Sequence, residues 1–193
     1  MIDKFLEGNK QFIENDFKKD AELYQKLAKG QSPTALFIGC SDSRVDPERV
    51  TGAKMGDIFV HRNIGNIVAK NDPNLATVLE YAIHHLNVDD IVVYGHSDCG
   101  AMKALDAGEG GEHIPGWLNH AKEAKEIADA EALPSSTPEE TNGRKKFLEV
   151  ENMRIQLENL RSYGFVKKAE DDGEVTLHGL YYDLETGKLE KIF

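Results

Sequence analysis

The chain alternates short apolar runs with longer amphipathic stretches, a pattern typical of strands separated by helices. The apolar runs are rich in β-branched and aromatic side chains, and they span residues 35–39, 58–61 and 91–94. Each run is apolar on both faces, as expected for a buried strand of a parallel sheet. We therefore predict an α/β fold with a mainly parallel central sheet flanked by helices.

Helical periodicity fills the stretches between and beyond these strands. From 75 to 86 the apolar residues form one stripe, preceded by the pair Asp72-Pro73. An aspartate at the N-cap followed by proline at the first helical position is a strong helix start, and Asp46-Pro47 repeats it. Further helices are predicted over 101–107, 117–132 and 138–161.

The N-terminal residues form a separate amphipathic pattern. Residues 1–30 have helical spacing that is interrupted around Asn15 and Asp16, which predicts a helical arm. The rest of the sequence contains no internal repeat and no linker. We therefore predict one domain over 1–193, made of the arm and an α/β core over 31–193.

The C-terminal residues predict a hairpin. Apolar and polar residues alternate from Val175 to Gly179, a turn-forming segment occupies 185–188, and a second apolar segment covers 189–193. The last segment is expected to add an edge strand.

Composition narrows the possible partners. The formal charge is −11, and hydrophobic and charged residues make up 40% and 30% of the 193 residues. No apolar run approaches the roughly 20 residues of a membrane span, and a net negative charge disfavours binding to nucleic acid. The first residues lack the pattern of a secretory signal, so we expect a cytoplasmic protein without membrane or nucleic-acid partners.

The chain contains two cysteines, and each follows a predicted strand. Cys40 ends the first strand, and Cys99 follows the third by way of His96. Because the carboxyl ends of parallel strands meet at one edge of the sheet, these side chains are expected to converge. Two thiolates and an imidazole are a recurrent zinc ligand set that leaves a fourth position open. The alternative is that both cysteines are ordinary buried apolar residues.

Charged residues follow the first cysteine closely. Asp42 could fill the fourth zinc position or orient a water molecule there, and a bidentate pair with Arg44 could decide between these roles. The alternative is that Asp42 and Arg44 lie on an ordinary solvent-exposed turn and have no role at a metal.

Three ordered segments resemble the motifs of the β-class carbonic anhydrases. They are Cys40–Arg44, Gly56–Asn63 and Gly95–Gly100, and similarity extends over nearly the whole chain. The resemblance implies one Zn²⁺ per chain, with the ligands Cys40, His96 and Cys99. It also implies that Asp42 and Arg44 form the catalytic dyad.

The resemblance further implies reversible hydration of carbon dioxide to bicarbonate and a proton, by attack of zinc-bound hydroxide. Asp42 and Arg44 would gate and orient this attack, so activity is expected to rise with pH. Phe37 stands where one branch of the family has the tryptophan of a regulatory bicarbonate site. Arg62 and Tyr182 match the other two residues of that site, but Phe37 has no indole N–H, so the site is expected to be absent. The chain resembles the plant-like branch more closely, and its substrate pocket corresponds to Gln31, Phe59, Ile64, Tyr81 and Gly100.

The same resemblance implies a homodimer or a dimer of dimers, in which the N-terminal helices pack around the partner and Gln31 crosses the interface.

Two other functions stay open on the sequence alone. One is hydrolysis of carbonyl sulfide or carbon disulfide on the same scaffold. The other is a noncatalytic interaction domain in which Asp42 permanently closes the zinc site.

Overall fold

The computed structural model describes residues 1–131 and 136–193. These residues pack into two compact units, 1–32 and 33–193. The first unit contains α1 (Ile2–Phe12) and α2 (Ala21–Leu27). The predicted interruption of the N-terminal helical pattern is a π-helical turn over Ile13–Phe17.

The helices of the first unit leave their apolar side chains accessible. Throughout 1–32, all of which the structure describes, no helical residue is buried. Phe17 stacks on Tyr24 with ring centroids 4.6 Å apart, and Phe12 meets Tyr24 edge-on at 5.5 Å. Phe5 and Leu6 on α1 are 68% and 59% exposed.

The second unit is built on a sheet with the strand order β2-β1-β3-β4-β5 in the described residues. Strands β1 to β4 run parallel, and β5 pairs antiparallel with β4 at the edge. The predicted α/β class and the C-terminal edge strand are therefore confirmed. The strands are β1 (Ala35–Cys40), β2 (Ile58–Asn63), β3 (Asp90–His96), β4 (Thr176–Tyr182) and β5 (Leu189–Lys191).

Helices connect and cover these strands. Asp46 and Asp72 are the predicted N-caps, and their carboxylates accept hydrogen bonds from the backbone N–H groups of Arg49 and Asn74. None of the helices in 1–131 and 136–193 is long and apolar enough to cross a membrane. They are α3 (Pro47–Thr51), α4 (Pro73–Glu80), α5 (Gly100–Ala107), α6 (Ile114–Leu118), α7 (Lys122–Ala130), α8 (Pro138–Arg161) and α9 (Gly164–Asp171).

The helix predicted over 117–132 is divided in the structure. It begins at Ile114 because Pro115 is accommodated in the first turn, and a 3₁₀ turn over Asn119–Ala121 separates α6 from α7. Its predicted last residue, Ala132, lies outside the described residues. The stripe from 75 to 86 also changes geometry, because α4 continues into a π-helical turn over Tyr81–His85.

The central strands are buried on both faces. Alternate residues of β1 and β3, including Leu36 and Val93, pack in a cluster with side chains of α4, α8 and α9. Phe37 and Tyr94 lie on the opposite face. The expectation of full burial is wrong for β2, which is mostly half-buried because it lies at the edge of the sheet.

Helix α8 also carries buried amide side chains. Asn152 donates to the carbonyl of Gly65 (3.1 Å), Gln156 accepts from the N–H of Val68 (2.8 Å), and Asn159 donates to the carbonyl of Val68 (3.0 Å). These bonds satisfy the buried backbone of the loop after β2, which has no strand partner there. The loop is thereby held at the carboxyl edge of the sheet.

Candidate metal centre

The two cysteines and His96 meet at the carboxyl edge of the parallel sheet. Cys40 ends β1, His96 ends β3, and Cys99 is the N-cap residue of α5. One Sγ from each cysteine and one imidazole nitrogen lie within 4.8 Å of one another, and all three residues are buried. The predicted convergence is confirmed, and both cysteines are free thiols.

The histidine presents one nitrogen to this cluster. Nδ1 lies 2.8 Å from the carbonyl oxygen of Ser97, to which it can only donate a proton. Nε2 then carries a lone pair, and it is buried without a hydrogen-bond partner. A buried acceptor beside two sulfur atoms fits a tetrahedral Zn²⁺ site with a fourth position left for a small ligand.

The two thiols differ in acidity. The Cys99 thiol donates a hydrogen bond to the Cys40 sulfur, which lowers the pKa of Cys40, whereas the same contact and burial raise the pKa of Cys99. Backbone N–H groups of Gly65 and Asp42 also stabilise the Cys40 thiolate. Because a metal is coordinated by thiolates, metal binding would release the thiol proton that Cys99 shares with Cys40.

Asp42 and Arg44 form a bidentate pair beside the cysteine. Oδ1 of Asp42 accepts from the backbone N–H and Nε of Arg44 at 2.9 and 3.0 Å, and Oδ2 accepts from the guanidinium at 2.8 Å. These bonds hold the pKa of Asp42 well below its usual range. The carboxylate is therefore ionised and its orientation is fixed.

Arg44 has a second carboxylate partner that the sequence patterns did not reveal. It donates to the side chain of Asp98 at 3.1 Å and to its carbonyl at 3.2 Å, and Lys103 also donates to the Asp98 carboxylate at 2.9 Å. Asp98 has a φ of 57°, a left-handed conformation that aspartate tolerates better than most residues. In the sequence, only the position of Asp98 between His96 and Cys99 indicated that it could belong to the site.

Arg62 on β2 supports the same loop from the other side. Its guanidinium donates to the carbonyl of Cys40 at 2.8 Å and to the carbonyl of Asp42 at 2.7 Å. Both bonds fix the backbone that carries the first cysteine and the dyad carboxylate.

Four of the predicted pocket residues lie in the second unit. Phe59 on β2 and Tyr81 are in ring contact, with centroids 5.9 Å apart. Ile64 directly precedes Gly65, whose backbone N–H contacts the Cys40 sulfur, and Gly100 directly follows Cys99. Gln31 belongs to the first unit, 1–32.

Trp117 holds the Ile64 segment. Its indole Nε1–H donates to the carbonyl of Ile64 at 2.7 Å, a contact between residues 53 positions apart. No local sequence pattern indicates this contact between α6 and the loop after β2.

A sequence model described as carbonic anhydrase matches residues 35–189. The carbonic anhydrase of Pseudomonas aeruginosa is 39% identical over 198 residues, covering 100% of this chain and 86% of that protein. The solved β-carbonic anhydrase CcaA superposes with a TM-score of 0.92 at 32% identity, covering 100% of this chain and 95% of that one. The chain belongs to the β-class carbonic anhydrases.

Other β-carbonic anhydrases agree with this assignment. Crystal structures of two tetrameric β-carbonic anhydrases from Sordaria macrospora have been described. One of them superposes on this chain with a TM-score of 0.89 at 32% identity, covering 99% of this chain and 96% of that one. As a β-class carbonic anhydrase the protein uses zinc, and Cys40, His96 and Cys99 are positioned as its metal site.

We predict that His96→Asn removes zinc from the protein. Asparagine cannot place a nitrogen lone pair at the position of Nε2, so two sulfurs remain to hold the ion. Zinc content after dialysis against a chelator should fall well below one per chain, whereas exposed His84→Asn should retain the native content. Stoichiometric zinc in His96→Asn would contradict the assignment.

Proposed function

We propose that the protein catalyses the reversible hydration of carbon dioxide to bicarbonate and a proton with the dyad Asp42 and Arg44. One observation carries the proposal. A buried site of two sulfurs and one imidazole is followed, two residues after Cys40, by the Asp42 carboxylate, which is ionised, is held by a guanidinium and acts electrostatically on His96. This arrangement supplies both a metal position and an adjacent hydrogen-bond acceptor.

Zinc, when bound, is a Lewis acid that brings the pKa of water toward neutrality. In the proposed mechanism the Asp42 carboxylate accepts a hydrogen bond from the attacking water and so orients its oxygen toward carbon dioxide. Arg44 fixes that carboxylate by its paired donors. The proton released during hydration leaves toward solvent, because Arg44 and Asp98 at the site's edge are about half exposed.

The proposed substrate pocket combines apolar and polar groups. Phe59, Ile64 and Tyr81 offer an apolar surface suited to carbon dioxide. Gln31 is proposed to donate its amide N–H to the bicarbonate oxygen on which charge develops. In the proposed assembly this glutamine comes from the partner subunit.

We predict that Asp42→Asn lowers kcat for hydration by about ten- to a hundredfold while zinc is retained, because an amide is a weaker acceptor and offers Arg44 one uncharged oxygen instead of two charged ones. Stopped-flow hydration together with metal analysis measures both effects. The exposed Asp89→Asn is the matched control.

The same measurements test whether Asp42 controls access to the metal. We propose that Asp42 would bind the metal in place of water when it leaves Arg44. Hydroxide would compete with this carboxylate more strongly as pH rises, so hydration by the native enzyme should rise with pH. A profile that stays flat from acid to alkaline pH, or native activity in Asp42→Asn, would contradict this role of the dyad.

We propose that the functional unit is a homodimer or a dimer of dimers. The helices of the first unit bury none of their side chains, and Phe5 and Leu6 are exposed, so α1 offers an apolar surface to another copy. The solved relatives from Sordaria macrospora are described as tetrameric.

Phe5→Asp should therefore lower the molar mass measured by light scattering and reduce activity, since a charge replaces an apolar contact. Gln11→Asp, an exposed polar position on the same helix, should leave the mass unchanged. A monomeric native protein with full activity would exclude the assembly.

We further propose that the enzyme belongs to the plant-like branch and lacks the regulatory bicarbonate site. Phe37 has no indole N–H, and the Arg62 guanidinium already donates to the backbone at Cys40 and Asp42. Crystals grown in bicarbonate are expected to show no anion between Arg62 and Tyr182, and an ordered anion there would overturn the prediction.

A cytoplasmic location stays a prediction, supported by the two free thiols.

A further inference from the structure

A buried carboxylate on α8 contacts the backbone of one metal-site cysteine. Glu149 is only 4% exposed. Its Oε1 accepts the backbone N–H of Cys99 at 2.9 Å, and its Oε2 accepts the hydroxyl of Tyr181 at 2.7 Å. Tyr181 lies on β4 and is itself 1% exposed. The glutamate therefore joins the long helix, the sheet and the start of α5.

This arrangement is costly for a residue with only a packing role. Burial of a carboxylate disfavours its charged form, and burial raises the pKa of Glu149. Both oxygens are nevertheless directed at donors, so no part of the carboxyl group is left without a partner. A neutral or apolar side chain of similar size would fill the same space at lower cost.

The N–H that Glu149 binds belongs to the peptide between Asp98 and Cys99, whose carbonyl on the other side accepts from the half-exposed Arg44. Cys99 is the N-cap residue of α5, and its side chain makes no capping hydrogen bond. Asp98 before it has the left-handed φ of 57°, so the chain turns sharply between His96 and Cys99. Rotation of the peptide between Asp98 and Cys99 would move the Cys99 sulfur relative to Cys40.

We propose that Glu149 is a positioning residue for the metal site, which fixes the Cys99 peptide by hydrogen bonding and is itself oriented by the Tyr181 hydroxyl. The inference rests on the zinc site of the proposed function. It concerns the retention and geometry of the metal rather than a step in carbon dioxide hydration.

The test measures metal binding directly. Zinc affinity is determined by competition with a chelating dye, and the site geometry is read from the thiolate-to-cobalt absorption of the Co²⁺-substituted protein. Glu149→Ala should weaken zinc binding by about ten- to a hundredfold and shift the cobalt absorption. Glu149→Gln keeps an acceptor oxygen for Cys99 and should recover most of the affinity.

Glu151→Ala is the matched control, because it removes from the same helix a carboxylate that pairs with Arg154 and not with the metal site in the described residues. It should behave like the native protein. Native affinity and an unshifted cobalt spectrum in Glu149→Ala would overturn the proposal. Equal loss in the Ala and Gln variants would also overturn it, since charge rather than hydrogen bonding would then be responsible.

If Glu149→Ala does not fold, a second variant tests whether Glu149 positions the Cys99 peptide. Tyr181→Phe leaves the bond to Cys99 but removes the donor to Oε2, and it should weaken zinc binding and shift the cobalt band in the same direction. An unchanged affinity and spectrum would overturn the proposal. These readouts do not depend on hydration, so a native protein that binds zinc but leaves carbon dioxide unreacted would refute the proposed function alone.

Discussion

Two sulfur atoms and an imidazole nitrogen buried within 4.8 Å of one another are the arrangement on which the rest of the structure depends. Thiolates in an apolar interior repel each other and lose the solvation of water, so the surrounding chain must supply hydrogen-bond donors. Gly65 and Asp42 direct backbone N–H groups at Cys40, and Ala101 and Met102 direct theirs at Cys99. The start of α5 is therefore part of the electrostatic environment of the metal.

Much of the remaining architecture keeps those donors in place. The loop that contains Gly65 has no neighbouring strand, and the amides of Asn152 and Gln156 replace the missing sheet partners. Arg62 holds the carbonyls of Cys40 and Asp42 in a similar way on the other side. Polar side chains that would destabilise an ordinary core thus become necessary where a metal site requires irregular backbone.

The sequence predicted the elements that rest on local chemistry. Strand patterns located β1 and β3, and the pairs Asp46-Pro47 and Asp72-Pro73 identified two helix starts that the structure confirms. Parallel topology then predicted that residues at two strand ends would meet. These inferences succeed because periodicity, capping and strand direction are set within a few residues or by a general rule of sheets.

Contacts between distant residues could not be predicted in the same way. Asp98 and Arg44 are 54 positions apart, and Cys99 and Glu149 are 50 apart. No local pattern specifies which buried polar side chain of α8 faces which loop, because that choice depends on the packing of the helix against the sheet. Apolar spacing also could not predict where a helix changes type. It does not distinguish one continuous helix from α6 and α7 with a 3₁₀ turn between them, or from α4 followed by a π-helical turn.

The bond from Trp117 to the carbonyl of Ile64 gives the protein a built-in optical probe. The chain contains one tryptophan, so its tryptophan fluorescence comes from a single indole. That indole is hydrogen-bonded to the backbone of the segment between the edge strand β2 and the Cys40 donor Gly65. A change in emission wavelength or lifetime would therefore follow the movement of this one loop, without any label and in the unmodified enzyme.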